Sequence, residues 1–404
     1  MAHRRHPDCI EGRRPVNRLM RKILHFDLDA FFCSVEELLD PSLHGRAFVV
    51  GGSPQGRGVV TSASYAARAF GVRSAMPMAR ALRLCPDLIP VRGNHRLYGE
   101  YSDKVMTLLR GAAPLVEQIS IDEAFLDVSD DPRPSGDIAR ELQIRIREQF
   151  ELPTSWGAAG NKLVAKVATE VGKPNGLVVV PPGQEANFLA PLPVEMLWGV
   201  GPKSRARLQD LEIRTIGDLA ALPPAQLERL YGERGTELAA RARGQDDSPV
   251  VEGHEPRSMS SERTFAKDVD DWDTLRRHLR EMSDSVGRRL RREGVAGSTV
   301  RLKLRWPDFT TITRQSRLPQ PSDVDNEIFR AAAALLRANW KAGRKIRLLG
   351  VGVADLGPLT RQLSLFDRSW QEDERLLQAV DSIRAKYGPA ALQRGHRIKG
   401  KQEQ

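Results

Sequence analysis

A chain of 404 residues is long enough for two to four domains, each able to bury a core of its own. Its net charge of +10 and pI of about 9.7 point to a polyanionic partner, and no apolar run approaches the roughly 20 residues of a membrane span. Cys9, Cys33 and Cys85 share no metal-ligand spacing and form no disulfide framework, which fits a reducing cytoplasm, and at 6% aromatics base stacking is not the main mode of nucleic-acid contact.

Residues 1–21 are basic and lack an apolar signal core, so they read as a disordered arm, neither signal peptide nor anchor. Residues 22–37, KILHFDLDAFFCSVEE, predict a buried strand (Ile23, Leu24, Phe26, Leu28) that ends in carboxylates and runs into a helix stopped by Asp40 and Pro41. Asp29, close to the start of that helix, is expected to cap it. Phe31 and Phe32 are adjacent and diverge by about 100°, so only one of them can face a given core. A short strand ends at Val50. The stretch VVTSASYAARAFGVRSAMP then reads as strand, turn and helix, with Tyr65 and Arg68 on one helical face beside the hydroxyls of Thr61, Ser62 and Ser64. A phenol and a guanidinium at such a helix start suit a triphosphate.

After a helix over residues 95–115, EQISIDEAFLDV (117–128) predicts a β-hairpin with Asp122 and Glu123 at its turn. Carboxylates where buried strands end are costly unless a cation compensates them, and Mg²⁺ prefers such hard oxygen ligands. Two ions about 4 Å apart clamp the attacking and leaving oxygens of a phosphoryl transfer. Asp27, Asp122 and Glu123 are therefore the candidate two-metal nucleotidyl-transfer site. A helix over 137–149 is followed by strand, helix, Pro-Asn-Gly turn and strand, with Lys173 just before Pro174.

Pro181, Pro182 and Gly183 mark a boundary. Beyond them two helical segments flank a turn around Ile213, with Gly199 and Gly201 opening the first and Lys203 and Arg205 adding charge; helix-start amides there bind phosphate without reading sequence. Residues 244–257 read as a linker. Residues 258–359 have a βαββαβ rhythm and carry 20 Lys+Arg against 13 Asp+Glu. In the strand 300–306, Val300, Leu302, Leu304 and Trp306 point one way and Arg301, Lys303 and Arg305 the other, a row of cations spaced by about 6.8 Å. QLSLFD, residues 362–367, places apolar side chains outside any domain core, and a last amphipathic helix spans 372–386.

The two acidic motifs, D-x-D-x-F-F-x-x-V-E from Asp27 and S-x-D-E-x-x-L-D from Ser120, resemble the palm of Y-family translesion DNA polymerases of the bacterial DNA polymerase IV type. The resemblance spans roughly residues 22–367. It implies an α/β (α+β) right-hand polymerase: palm at 22–30 and 95–180, fingers at 31–94, helix-hairpin-helix thumb at 181–245, linker at 246–257, little finger at 258–359, tail at 360–404. It further implies low-fidelity synthesis on damaged templates with two Mg²⁺ held by Asp27, Asp122, Glu123 and the Leu28 carbonyl. Phe32 becomes the steric gate against a 2′-hydroxyl, Ser62, Tyr65, Arg68 and Lys173 the triphosphate ligands, and Gly199, Gly201, Lys203, Arg301, Lys303 and Arg305 the DNA contacts. Gln362, Leu363, Leu365 and Phe366 match a sliding-clamp motif. Primer-template DNA, deoxynucleoside triphosphates and the bacterial sliding clamp are the implied partners of a cytoplasmic monomer. A haloacid-dehalogenase-type phosphatase also begins with strand-D-x-D, but needs Thr or Val where this chain has Phe31. A non-catalytic DNA- or clamp-binding paralogue of the same fold is the remaining alternative.

Overall fold

The computed structural model describes residues 21–253, 255–359, 369–388 and 391–392. The arm at 1–20 and the clamp-motif segment at 362–367 lie outside the described residues. The chain forms two units that divide after His254.

The first unit begins β1 (Ile23–Leu28), α1 (Phe31–Leu39), β2 (Phe48–Gly51), β3 (Val60–Ala63), α2 (Tyr65–Ala69), α3 (Met78–Leu84), β4 (Ile89–Val91) and α4 (His95–Arg110). It continues β5 (Leu115–Gln118), β6 (Glu123–Asp127), α5 (Ser135–Phe150), β7 (Thr154–Ala159), α6 (Lys162–Gly172), β8 (Leu177–Val179) and α7 (Glu185–Leu189). Four helices close it: α8 (Pro202–Gln209), α9 (Ile216–Ala221), α10 (Pro224–Tyr231) and α11 (Glu233–Ala242).

Strand β1 is the centre of a five-stranded sheet ordered β5-β6-β1-β7-β8. Its period-2 alternation feeds two cores. Leu24, Phe26 and Leu28 join Tyr98, Met106 and Leu109 of α4 and Leu142 and Ile146 of α5 on one face. Ile23 joins Leu163, Val164 and Val167 of α6 on the other, with His25 buried on the same side against Thr169. Because both faces are covered, the strand is apolar almost throughout, and its carboxylates come only at the end. The approach of α6 to the sheet is close at Gly157 of β7, where a Cβ would stand 2.0 Å from the Ala165 carbonyl oxygen. A smaller sheet, β3-β2-β4, carries Ser62 and leads into α2, whose N-cap Ser64 accepts from Ala67 N–H.

Helices α8 and α9 are the expected hairpin: Pro202 starts the first, and a Thr215–Asp218 capping box starts the second. Residues 245–251 have neither helix nor strand, yet they are held to the unit: Asp246 accepts from Leu163 N–H, and Val251 N–H donates to Glu117.

The second unit is β9 (Ser258–Val269), α12 (Trp272–Arg292), β10 (Val295–Arg305), β11 (Thr311–Ser322), α13 (Asp325–Asn339), β12 (Ile346–Pro358) and α14 (Ser369–Tyr387). Its antiparallel sheet is ordered β11-β10-β12-β9, the βαββαβ connectivity read from the sequence. Leu275, Leu279, Met282, Val286 and Leu290 of α12 recur at helical spacing and cover one sheet face through Val300, Leu302, Leu304, Val351 and Val353. In the last helix Leu377 is buried and Asp381 pairs with Arg291 of α12 at 2.7 Å, so α14 is docked on this unit. Among the described residues no helix is long and apolar enough to cross a membrane.

Candidate active site

The two acidic motifs meet through strand register. Antiparallel pairing of β1 with β6 sets Asp27 directly opposite Glu123, and Leu28 N–H donates to the Asp122 carbonyl at 2.9 Å. The turn is fixed by Ser120, whose hydroxyl donates to Asp122 Oδ1 while accepting from the amides of Asp122 (3.2 Å) and Glu123 (3.1 Å). The Ser of S-x-D-E thus holds the Asp122 carboxylate and the backbone amides of both acidic residues by its own side chain, a role the motif did not reveal.

Each outer carboxylate is met by a lysine. Lys173 Nζ lies 2.8 Å from Asp27 Oδ2, and Lys166 Nζ donates to Glu123 Oε2. His25, fully buried beneath them, has Nε2 3.4 Å from Glu123 Oε2 and Nδ1 2.9 Å from Thr169 Oγ1. Burial holds the His25 imidazole down to about 4, so at neutral pH it is an uncharged hydrogen-bonding group. Burial works against ionised Glu123 too, yet hydrogen bonds from His25 and Lys166 hold its carboxyl at about 2. Burial wins at Asp27: its carboxyl rises to about 7 despite Lys173, helped by the like charge of Asp122.

Among the described residues no three His, Cys, Asp or Glu side chains converge as a ready metal cluster, and lysines stand against Asp27 and Glu123. The donor set still fits a divalent cation. It offers hard oxygens only, and one buried carboxylate that a single lysine does not fully compensate.

Asp27, Leu28 and Asp122 form one wall of a cleft of about 140 Å³ whose other walls are Phe32, Ser62, Tyr65, Arg68 and Lys173. Every nucleotide-side residue named from the sequence is therefore in one cavity. Both phenylalanines touch the cleft, but Phe31 is 2% exposed and packs into the core, whereas Phe32 is only partly buried and stacks on Tyr98 at 4.2 Å and 13°. Arg68 lies over the Tyr65 ring at 4.6 Å and donates from Nε to the Ala63 carbonyl.

The expected cap role of Asp29 is wrong. The N-cap of α1 is Ala30, at φ 46°, with no side-chain cap bond. Asp29 instead accepts from Tyr65 Oη (3.0 Å), Ser155 Oγ (2.8 Å) and Asn175 N–H (2.7 Å), tying β1 to α2, β7 and the Pro-Asn-Gly turn. Its carboxylate is 1% exposed and spent on these three donors.

Away from the carboxylates, Gly199 adopts φ 103°, where a side chain would be strained and would meet Arg241 at 3.1 Å. Gly201 is the N-cap of α8, and Lys203 is exposed on its first turn. In the second unit Arg301, Lys303 and Arg305 share the open sheet face, and Lys303 is matched by a carboxylate, Glu262 at 2.8 Å, the one such pair in the row among the described residues. Gln362, Leu363, Leu365 and Phe366 lie outside the described residues.

Residues 26–170 match the impB/mucB/samB family, and residues 256–365 match the C-terminal domain of that family. DNA polymerase IV of Dehalococcoides mccartyi strain CBDB1 is 41% identical over 93% of this chain and 97% of its own. The chain belongs to the Y family of DNA polymerases. DNA polymerase IV of Alkalilimnicola ehrlichii is 44% identical over 86% of the polymerase and 99% of that relative. A solved Y-family DNA polymerase chimera superposes with a TM-score of 0.75 at 26% identity, covering 84% of this chain and all of the other. The protein is thus a DNA-directed DNA polymerase of the translesion type, and family membership implies dependence on divalent metal.

Proposed function

We propose that the polymerase extends primers across damaged template by two-metal nucleotidyl transfer, in which Asp27, Asp122, Glu123 and the Leu28 carbonyl would hold the two Mg²⁺ ions. The observation that carries this reading is the register that sets Asp27 against Glu123 and so brings Asp27 and Asp122 together on the wall of a cleft shared with Phe32, Tyr65, Arg68 and Lys173. The bound ions would supply charge neutralisation at the attacking and leaving oxygens. The chain supplies the rest. Ser62, Tyr65, Arg68 and Lys173 grip the triphosphate, and the flat ring of Phe32, held by Tyr98, underlies the sugar and excludes a 2′-hydroxyl. The primer 3′-oxygen bonds to the α-phosphorus as the bond to pyrophosphate breaks, and the protein positions and neutralises throughout.

The DNA backbone would be held at Gly199, Gly201 and Lys203 and on the cationic face of Arg301, Lys303 and Arg305. We assign residues 22–30 and 95–180 to the palm, 31–94 to the fingers, 181–245 to the thumb and 258–359 to the little finger. A cytoplasmic monomer is tethered to the sliding clamp through Gln362, Leu363, Leu365 and Phe366. A non-catalytic paralogue is disfavoured because all three carboxylates, Phe32 and both lysines are in place. The test is single-nucleotide addition to a primer-template: Mg²⁺-dependent, template-directed extension is expected, and its absence in folded protein overturns the reading.

A further inference from the structure

Helix α6 and the turn after it send three lysines toward carboxylates, and two of them have an evident purpose. Lys162 is buried with Glu117 and anchors the segment at 249–251. Lys173 lines the nucleotide cleft. Lys166 does neither. Its side chain is 17% exposed, and its partner Glu123 is a carboxylate reserved by the proposed function for metal.

Its place is informative. The cleft is lined by Asp27, Asp122 and Lys173, but by neither Glu123 nor Lys166, so the Lys166–Glu123 pair stands beside these carboxylates and outside the cleft assigned to the triphosphate. There the Lys166 ammonium stands 5.9 Å from the ring of Trp198, the residue before Gly199 and the helix-hairpin-helix. In-line displacement requires the attacking oxygen to approach the α-phosphorus opposite the leaving pyrophosphate. With the triphosphate gripped on the Lys173 side, the primer end must arrive on the Lys166 side. Charge leads the same way. With Glu123 committed to a divalent cation, the ammonium beside it loses its partner and needs another anion, and lysine is a compact point-charge ligand for phosphate.

We propose that Lys166 holds the 3′-terminal phosphodiester of the primer, exchanging Glu123 for that phosphate when the site is loaded. The proposal rests on the metal-ligand reading of Glu123. Lys166 and Lys173 would then divide the two anionic reactants between them, one on each side of the reacting phosphorus.

The test is a chemical double-mutant cycle in single-turnover extension. Primers carry either an ordinary phosphodiester or a neutral methylphosphonate at the 3′-terminal linkage, and the proteins are unmodified, Lys166→Met and Lys166→Arg. On the ordinary primer Lys166→Met should slow extension by about 10- to 100-fold with the nucleotide KM nearly unchanged, and Lys166→Arg should recover much of the loss. The methylphosphonate should slow the unmodified protein by a similar factor, and should cost Lys166→Met little more. Moving the methylphosphonate one linkage inward should relieve the unmodified protein, an arm that needs no variant. Independent losses that multiply, or equal losses at both linkages, overturn the proposal. Mn²⁺ binding without DNA, followed by electron paramagnetic resonance, supplies a readout other than activity. Lys166→Met should bind Mn²⁺ at least as tightly as the unmodified protein, since a competing cation is gone; weaker binding would mean that Lys166 merely props Glu123, and overturns the proposal too. If the unmodified protein fails to extend the ordinary primer with Mg²⁺, the underlying metal reading has failed instead.

Discussion

The two units handle charge in opposite ways. In the first, Asp27 and Glu123 at the end of a buried sheet each face a lysine, placed by strand register and helix phase. In the second, cations stand on the open face of a half-covered sheet, where neighbours are polar and water is near. A low-dielectric site makes each group indispensable, while an exposed field makes each one a fraction of a sum. Substitutions should therefore act all-or-none in the first unit and by graded, salt-sensitive steps in the second.

The largest expected effect is at the carboxylates. Asp27→Ala or Glu123→Gln should lower primer extension by about a thousandfold or more, with DNA binding by fluorescence anisotropy nearly unchanged, because affinity comes mainly from phosphate contacts elsewhere. Normal extension by a folded variant would contradict the metal assignment. Next comes the gate. Phe32→Ala should raise ribonucleotide incorporation relative to deoxynucleotide by roughly 100-fold or more, since overlap with the 2′-hydroxyl is lost with the ring. Phe31→Ala, which empties a core position, should instead cost about 3–5 kcal/mol of stability without changing sugar selection. Gel analysis of single additions and thermal melts separate the two.

Much of this site was legible in the sequence because its parts are local. β1 shows a continuous apolar run that stops at Asp27, and the hairpin shows adjacent carboxylates at its turn, so both survive without knowledge of the partner strand. What could not be read depends on long-range placement. Lys166 is an ordinary lysine on an amphipathic helix until α6 packs over β1 and β6 and brings it to Glu123. His25 looks like a polar interruption in a strand, and only its burial against Thr169 and Glu123 explains it. Asp29 departs from expectation for the same reason: an acidic residue before a helix is commonly a cap, but the pairing of β1 with β7 brings Ser155 within hydrogen-bond reach of its carboxylate.

A smaller effect concerns stability rather than activity. The Asp27 carboxyl is raised to about 7 in the folded, metal-free protein and lies near 3.8 when unfolded. Between those values the folded state keeps a proton that the unfolded state releases, so stability falls as pH rises through about 4 to 7 and then levels off. Asp27→Asn removes that penalty. The metal-free variant should be more stable than the unmodified protein at pH 7.5, by on the order of 2 kcal/mol, and the two should converge near pH 4. Added Mg²⁺ should raise the melting temperature of the unmodified protein more than that of the variant. Denaturation curves at several pH values test it, and a variant destabilised at pH 7.5 would show that Lys173 compensates Asp27 fully.

The smallest effect tests the second unit on its own terms. Among the described residues Arg301 and Arg305 lean on neutral partners, Gln315 and Thr311, which leave their charge for a phosphate. Lys303 does not: across Gly350 of β12 it reaches the carboxylate of Glu262 on β9. Gly350 permits this, since a Cβ there would come within 2.9 Å of Glu262 Cγ. An exposed ion pair of this kind contributes little to stability, but it cancels one charge in the row. Arg301→Ala and Arg305→Ala should each flatten the dependence of log affinity on log salt by about 0.9, the value for one phosphate contact. Lys303→Ala should flatten it less. Glu262→Gln should do the reverse, tightening DNA binding by roughly two- to fivefold at low salt and steepening the slope by up to about 0.9. Binding isotherms at four or five salt concentrations measure all four. If Lys303→Ala matched Arg301→Ala and Glu262→Gln changed nothing, Lys303 would be leaving Glu262 for the phosphate at no cost, and the row would act as three equal cations.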